Sequence, residues 1–427
     1  MIYFSFITLF LFLLLLNYHL TRSGLAPPVL FTAVWITALL GIALSGDALY
    51  PVSWPALTVY FTGAVAFSFG GIFGQSLGQE DRVNASRERE ILDSSKEFRH
   101  FVMDAILLIL LVGLPIYWRQ AVSEFGEISG ITLATIRAQE IELSEQTRTF
   151  TLLRNFPVIS GFLAAALSYE NDGTFSRGWR AYLSIALAIV YGSIVGTKMT
   201  VVIVPLIIFF IACLRARKIL VGMALGVFLF VLAAFSAGLV VVNYAYQDLG
   251  TVPDMVHAIA ATAWNYWLGG PVAFTRIVED PQSIASTQQL SRFFLETANS
   301  LGANLDLPSL HADYTDISET QNSNVYTIYF TYYKDFGLSV SAVLMAGVGF
   351  VSGYVYGRAG SGLPIPVLLY ALLAAATVLS IHAEHFIIGL NMYIKALLFF
   401  AFLYKVVPIA GLLVGDFIHG TVPRVKP

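Results

Sequence analysis

Charged residues are scarce in this chain. Asp, Glu, Lys and Arg make up 12% of 427 residues, against roughly a quarter in an ordinary soluble domain. A soluble protein of this size could not hide 57% hydrophobic residues from water. The mean hydropathy of +0.73 makes lipid the natural solvent. Cysteine is nearly missing: the single Cys213, set in an apolar run, excludes an intrachain disulfide framework and a multi-cysteine metal site. Seven histidines are too few for a histidine-rich metal store. A net charge of −3 leaves no general basic face for nucleic acid. A nucleotide cradle is also missing. The stretch 192–200, with Gly192, Gly196 and Lys198, lacks the G-x-x-x-x-G-K-[ST] spacing and lies between two apolar runs rather than after a strand. No internal repeat or low-complexity tract is visible.

Long apolar runs are abundant. A helix needs about twenty apolar residues to cross a bilayer. Eleven runs approach that length: 2–20, 28–46, 55–74, 101–118, 156–170, 181–197, 199–214, 219–243, 337–357, 364–383 and 386–404. The first reads as a retained span rather than a signal peptide, because nothing basic precedes it and Arg22 follows it. The expected fold is an all-α polytopic membrane protein of about eleven transmembrane helices, a single integral membrane domain over 1–427.

Basic residues set its orientation. The segment 81–100 carries Arg82, Arg87, Arg89, Lys96 and Arg99 and is expected in the cytoplasm. Alternation then puts 15 of the 24 basic residues inside and 9 outside, with a periplasmic amino terminus and a cytoplasmic carboxyl terminus. Two long periplasmic loops follow, 119–155 and 244–336, the second just before the ninth span. The first alternates charges with Ile136, Ile141 and Leu143 and is expected to lie along the membrane surface. The second holds ten acidic residues against three basic ones, together with Trp264, Tyr266 and Trp267. Such rings form either an interfacial aromatic belt or a surface on which sugars stack.

Several side chains carry candidate chemistry. Lys198 marks the outer tip of a tight hairpin, either snorkelling or holding a lipid phosphate at headgroup depth. Arg154, Arg276 and Arg292 are outer-side arginines, each a salt-bridge partner or a rigid fork for phosphate. His311, Asp313, Asp316 and Glu319 form the densest titratable cluster, either a solvated loop or the source of a general base. His382, Glu384 and His385 read as a polar helix end rather than a metal site. Either Lys395 or Lys405 is expected deep in lipid, on a pathway or snorkelling.

Residues 324–337 carry Asn324-x-Tyr326 and Tyr332-Tyr333-x-Asp335-Phe336-Gly337, leading into a helix with Gly347, Gly349 and Gly353. This stretch resembles the Wzy-type O-antigen polymerases, the oligosaccharide repeat-unit polymerases. Asn265-Tyr266-Trp267-Leu268-Gly269-Gly270-Pro271 is similar to the aromatic-Gly-Pro element that opens the family's large loop. The resemblance covers most of the chain as architecture and these two short stretches as sequence. It implies a glycosyltransferase of the bacterial inner membrane that joins repeat units on undecaprenyl pyrophosphate at the periplasmic face. The lipid-linked oligosaccharide, membrane lipid and a chain-length regulator protein are the implied partners, with no nucleic acid, cofactor or metal. Arg154, Lys198, Arg276 and Arg292 would stabilise the departing pyrophosphate. Tyr326 and Tyr333 would join the substrate-facing set. One of His311, Asp313, Asp316 and Glu319 would take the acceptor proton. Arg292 precedes Gly302 at one residue less than the family's Arg-x(10)-Gly spacing, so its role rests on chemistry alone. A flippase for lipid-linked oligosaccharides and an O-antigen ligase are the alternatives. The flippase would more readily show repeated halves.

Overall fold

The computed structural model describes residues 2–80, 85–125, 155–171, 175–194, 198–231, 233, 252–280, 289–300, 302–308, 314–319 and 321–419. The first three helices are apolar around their whole circumference: α1 (Ile2–Thr21), α2 (Pro27–Ser45) and α3 (Trp54–Glu80). Pro27 and Pro28 open α2, where a missing N–H costs nothing. Asn17 on α1 joins all three, donating to Thr32 Oγ1 at 3.0 Å and Ser68 Oγ at 2.9 Å. In an apolar bundle such a bond is worth more than its count suggests, because neither group has water to turn to. Phe4 (74% exposed) and Phe12 (67%) point outward, as side chains facing lipid would.

The chain continues through α4 (Ala85–Ser94), α5 (Lys96–Phe125), α6 (Phe156–Glu170), α7 (Phe175–Ile194), α8 (Lys198–Ala216) and α9 (Val221–Val231). Next come α10 (Val252–Glu279), α11 (Gln289–Ser300) and a two-residue antiparallel hairpin, β1 (Thr315–Asp316) against β2 (Asn322–Ser323). The last helices are α12 (Ile328–Ala359), α13 (Pro364–Val378), α14 (Leu390–Ala401) and α15 (Val407–His419), with a short π-helical segment, Phe402–Val406, before α15.

The protein is an all-α, multi-pass membrane protein. Among the described residues, seven helical stretches are long and apolar enough to cross a bilayer: Ile2–Thr21, Pro27–Ala48, Trp54–Gln79, Lys96–Arg119, Ile328–Ala359, Pro364–Ile381 and Leu390–Leu413. Phe156–Glu170, Val202–Ala216 and Val221–Val231 are apolar but shorter, and α7 is long but more polar. The other four expected runs fall on these stretches; of 219–243, residues 232 and 234–243 lie outside the described residues, and the helix over 199–214 is 19 residues long as a whole.

Two boundaries differ from the expectation. The ninth run begins at Ile328, with Thr327 capping it by accepting the Tyr329 N–H. The described part of 244–336 is mostly helical rather than loop. The second half of α10 packs into the bundle, burying Leu268, Val272, Phe274 and Ile277. Its apolar face seeks protein, which a solvated loop does not offer. Of 119–155, α5 continues to Phe125; residues 126–154 lie outside the described set.

α3 and α12 run side by side in the same direction. Along α3, Gly63 meets Tyr329, Gly70 meets Ala346, Gly74 meets Phe350 and Gly78 meets Tyr354. Glycines four apart on both helices, Gly70, Gly74 and Gly78 against Gly349, Gly353 and Gly357, bring the backbones together, the small-residue interface of membrane helices. This pair gives the bundle two ends. One holds the start of α3 and the start of α12. The other holds Gln75 to Gly78, Arg358 and the Arg99–Glu170 ion pair at 3.0 Å.

Candidate functional site at the aromatic end of the bundle

The first end is a nest of rings. Tyr60 lies between Trp35 (4.6 Å between centroids) and Tyr329 (5.5 Å), and Phe274 lies 5.5 Å from Tyr60 and 5.7 Å from Tyr333. The buried hydroxyls are satisfied. Tyr60 donates to the Pro271 carbonyl at 2.7 Å, and Tyr329 donates to the Tyr60 carbonyl at 3.0 Å. These bonds clamp α10 and α12 onto α3. Gly270 makes the fit possible: a Cβ there would lie 2.6 Å from the Ile381 carbonyl oxygen. The aromatic-Gly-Pro element thus has a packing reason.

Over the rings sits the hairpin. The Ile317 carbonyl accepts the Tyr50 N–H at 2.8 Å, and Thr315 Oγ1 lies 2.6 Å from Tyr326 Oη. Tyr326 is buried and stacks on Phe330 at 4.2 Å. Arg276, exposed near the end of α10, holds its guanidinium 5.1 Å from the Tyr50 ring centroid and 4.0 Å from Glu279. Asp316 and Glu319 are exposed on the hairpin. Tyr333 is half-buried.

Arg276, Tyr326, Tyr333 and the hairpin that carries Asp316 and Glu319 therefore lie at one end of the bundle, linked through Tyr50, Ile317, Thr315 and Phe274, though the sequence spreads them over 276–333. Arg292 is at this end but differs in kind. It is 7% exposed and donates to the Pro308 carbonyl, tying α11 to the extended chain behind it. Its packing is that of a structural residue rather than an open phosphate fork. Arg154, His311 and Asp313 lie outside the described residues. The Lys198 backbone opens α8, and its side chain lies outside the described set.

Glu384 is the residue that sequence reasoning undervalued. It is 5% exposed, in the turn between α13 and α14. Its carboxylate accepts the N–H groups of Phe386, Ile387 and Ile388 at 2.6–2.8 Å and the Tyr332 hydroxyl at 2.8 Å. Burial raises its pKa, and the four donors oppose that shift. Beside it, burial and then His382 push His385 down to about 3, so its ring is neutral. A carboxylate this well satisfied fixes a chain reversal. In the sequence it is an acid between two histidines, and only the structure shows the buried partner set that stabilises it. Among the described residues no three His, Cys, Asp or Glu side chains converge as metal ligands.

The deep-lysine question has a geometric answer. Lys395 Nζ donates to Asn155 Oδ1 at 2.9 Å, and Lys405 pairs with Glu88 at the other end of the bundle. Neither faces lipid alone.

No protein-family model matches the chain, and neither a curated protein nor a solved structure matches it.

Proposed function

We infer that the chain is a lipid-carrier-dependent glycosyltransferase that polymerises undecaprenyl-pyrophosphate-linked oligosaccharide repeat units at the periplasmic face of a bacterial inner membrane. The observation that supports this reading is that Arg276, Tyr333 and the hairpin bearing Asp316 and Glu319 share one end of the bundle, over clamped aromatic rings. Those are residue types the reaction needs. The acceptor hydroxyl attacks the anomeric carbon of the growing chain. The bond from that carbon to the carrier's pyrophosphate breaks, and the hydroxyl proton passes to a carboxylate. Asp316 or Glu319 fits that task, being exposed and carried on the hairpin. Arg276 offers a fixed cation to the departing pyrophosphate, already oriented by the Tyr50 ring. Tyr333, half-buried, offers a ring to a sugar, while Tyr326, buried against Phe330 and bonded to Thr315, holds the hairpin in place. The residues facing the opposite end include Arg89, Lys96, Arg99, Arg215 and Arg217, which agrees with a cytoplasmic placement of that end and a periplasmic placement of this one.

Deletion of the gene tests the reading through the lipopolysaccharide ladder. A single repeat unit on each core is the expected outcome. Bare core with carrier-bound polymer would make the protein a ligase instead, and an unchanged ladder would remove the chain from this pathway.

A further inference from the structure

At the end of the bundle away from the aromatic nest, a cavity of about 710 Å³ opens between the ends of α3, α6, α8 and α12 and the segment formed by α4 and the start of α5. This volume is within the range of small-molecule sites. Five basic side chains line it, Arg89, Lys96, Arg99, Arg215 and Arg217, against two acids, Asp93 and Glu170. Glu170 is already committed: it accepts Arg99 Nε at 3.0 Å and lies 4.0 Å from His100 Nε2. Arg89 and Arg215 are steered by backbone carbonyls, Ser361 for the first and Asn171 for the second, contacts that hold a guanidinium in place without pairing it to a carboxylate among the described residues. Lys96 and Arg217 have no ion-pair partner among the described residues. The wall also holds Gln75, 8% exposed, whose buried Oε1 has no hydrogen-bond partner.

Helix ends deliver two arginines to this end of the bundle. Among the described residues, the non-glycine residues with left-handed backbone are both arginines, Arg22 (φ 54°) and Arg217 (φ 53°). Both follow the ends of helices at this cavity: Arg22 lies between Thr21 and Ser23, which line it, and Arg217 lines it directly. Glycine would adopt that conformation without strain. Both close their helices: the Arg217 N–H donates to the Leu214 carbonyl and the Lys218 N–H to the Cys213 carbonyl, and the Arg22 N–H donates to the Tyr18 carbonyl, so the caps place these two arginines at the cavity end.

We propose that this cavity binds a phosphate-bearing ligand, with Lys96 and Arg217 as its direct cationic contacts. The polar wall suits a phosphoryl group with a polar substituent. The ligand's phosphate could come from a lipid headgroup or from a soluble phosphoryl compound, and the chemistry of recognition is shared. The inference does not rest on the glycosyltransferase reading, since the cavity lies at the opposite end.

The test uses the full chain, in nanodiscs of phosphatidylcholine alone and of phosphatidylcholine doped with phosphatidylglycerol. Native mass spectrometry counts retained phosphatidylglycerol, and titration calorimetry in the neutral discs measures inorganic pyrophosphate. Lys96→Gln and Arg217→Gly are compared with wild type, and Lys218→Gln is the charge-matched control outside the cavity. Arg217→Gly relieves backbone strain, so it should fold. Each cavity variant should weaken binding about tenfold, the worth of one charge-assisted hydrogen bond, and the control should not. Loss confined to the lipid arm assigns the site to a headgroup, and loss confined to the pyrophosphate arm assigns it to a soluble ligand. Equal binding by wild type and both cavity variants in both arms, or no binding by wild type in either, would overturn the proposal.

Discussion

The α3–α12 contact makes a sharp prediction, because the same substitution on the same helix should have opposite outcomes six residues apart. A Cβ added at Gly353 would lie 2.0 Å from the Gly71 carbonyl oxygen, and one at Gly349 would lie 2.2 Å from that of Phe67. Ordinary contact begins near 3.4 Å, so either alanine must drive the helices apart by more than 1 Å. The obstacle is backbone, which cannot swing aside as a side-chain tip can. Overpacking of this kind costs about 1–3 kcal/mol, and alanine returns only about 0.5–1 kcal/mol through helix propensity. The net expectation for Gly353→Ala is a loss of up to about 2.5 kcal/mol. At Gly347 nothing lies within 4 Å, so Gly347→Ala keeps the propensity gain without the clash and should be neutral or slightly stabilising. Gly349→Ala with Gly353→Ala should cost less than the sum of the two, since one separation relieves both clashes. The assay is the fraction of monodisperse protein left after heating purified samples in detergent, ranked across variants. Rank order is used because unfolding of such a protein is rarely reversible. A Gly353→Ala protein as heat-resistant as wild type, with Gly347→Ala the weaker of the two, would refute the parallel pairing of these helices.

Other expectations follow from the aromatic end. Arg276→Ala should lower repeat-unit polymerisation in a reconstituted assay at normal protein level, with Arg276→Lys restoring only part because it loses the planar fork. Equal activity of all three proteins would free Arg276 from the reaction. Arg292→Ala should instead lower the yield of folded protein, since it releases the Pro308 carbonyl and empties a buried position. Glu384→Gln should lower thermal stability by about 1–3 kcal/mol, the cost of leaving one buried N–H unmet, because an amide keeps only one accepting oxygen for the four donors now shared between two. An unshifted transition would show that those donors are met some other way. Gly337→Ala should destabilise although nothing lies within 4 Å of that site, because its backbone (φ 72°, ψ −176°) is closed to residues with a Cβ. A tolerated alanine would mean that the chain is not left-handed at Gly337, where two helical segments meet within α12.

Much of the membrane architecture was legible because apolar length is a one-dimensional signal. The runs at 2–20, 28–46, 55–74 and 101–118 reappear as helices with ends moved by a few residues. The run 337–357 was placed late for a physical reason. Tyr329, Tyr332 and Tyr333 carry hydroxyls, so hydropathy counts them as polar, yet Tyr329 and Tyr332 are buried with their hydroxyls bonded to protein, to the Tyr60 carbonyl and to Glu384. Hydropathy has no way to know that a hydroxyl will be satisfied. The same blindness hid the inserted half of α10, whose amphipathic character reads as loop or surface until a partner face is known. The glycines of α3 and α12 were visible as letters, and four-residue spacing on each helix was there to be read. Which helix faced which was not, because pairing is a property of two segments 280 or so positions apart and neither one encodes the other's address.

The candidate site divides along a similar line. Arg276, Asp316 and Glu319 were nominated by residue type and position in an acidic, aromatic segment, and such nominations need only local information. Arg292 shows where that stops. An arginine in an outer segment has the same letter whether its fork is open to a phosphate or spent on a backbone carbonyl, and only the Pro308 contact separates the two uses. Glu384 is the converse case. Its sequence neighbourhood offers one acid between two histidines at a helix end, the composition of an ordinary surface turn. Its importance comes from three N–H groups that exist as a converging set only after the chain has reversed, and from Tyr332, which is 52 positions away. The basic cavity carries the argument furthest. Arg89, Lys96, Arg99, Arg215 and Arg217 were each explained by the excess of positive charge on one side of a membrane. That rule needs only that the charges lie on the correct side. It does not require them to face one another across a cavity. What remains after the topological rule has taken its share is the enclosure, and enclosure of like charges is unfavourable unless an anion offsets it.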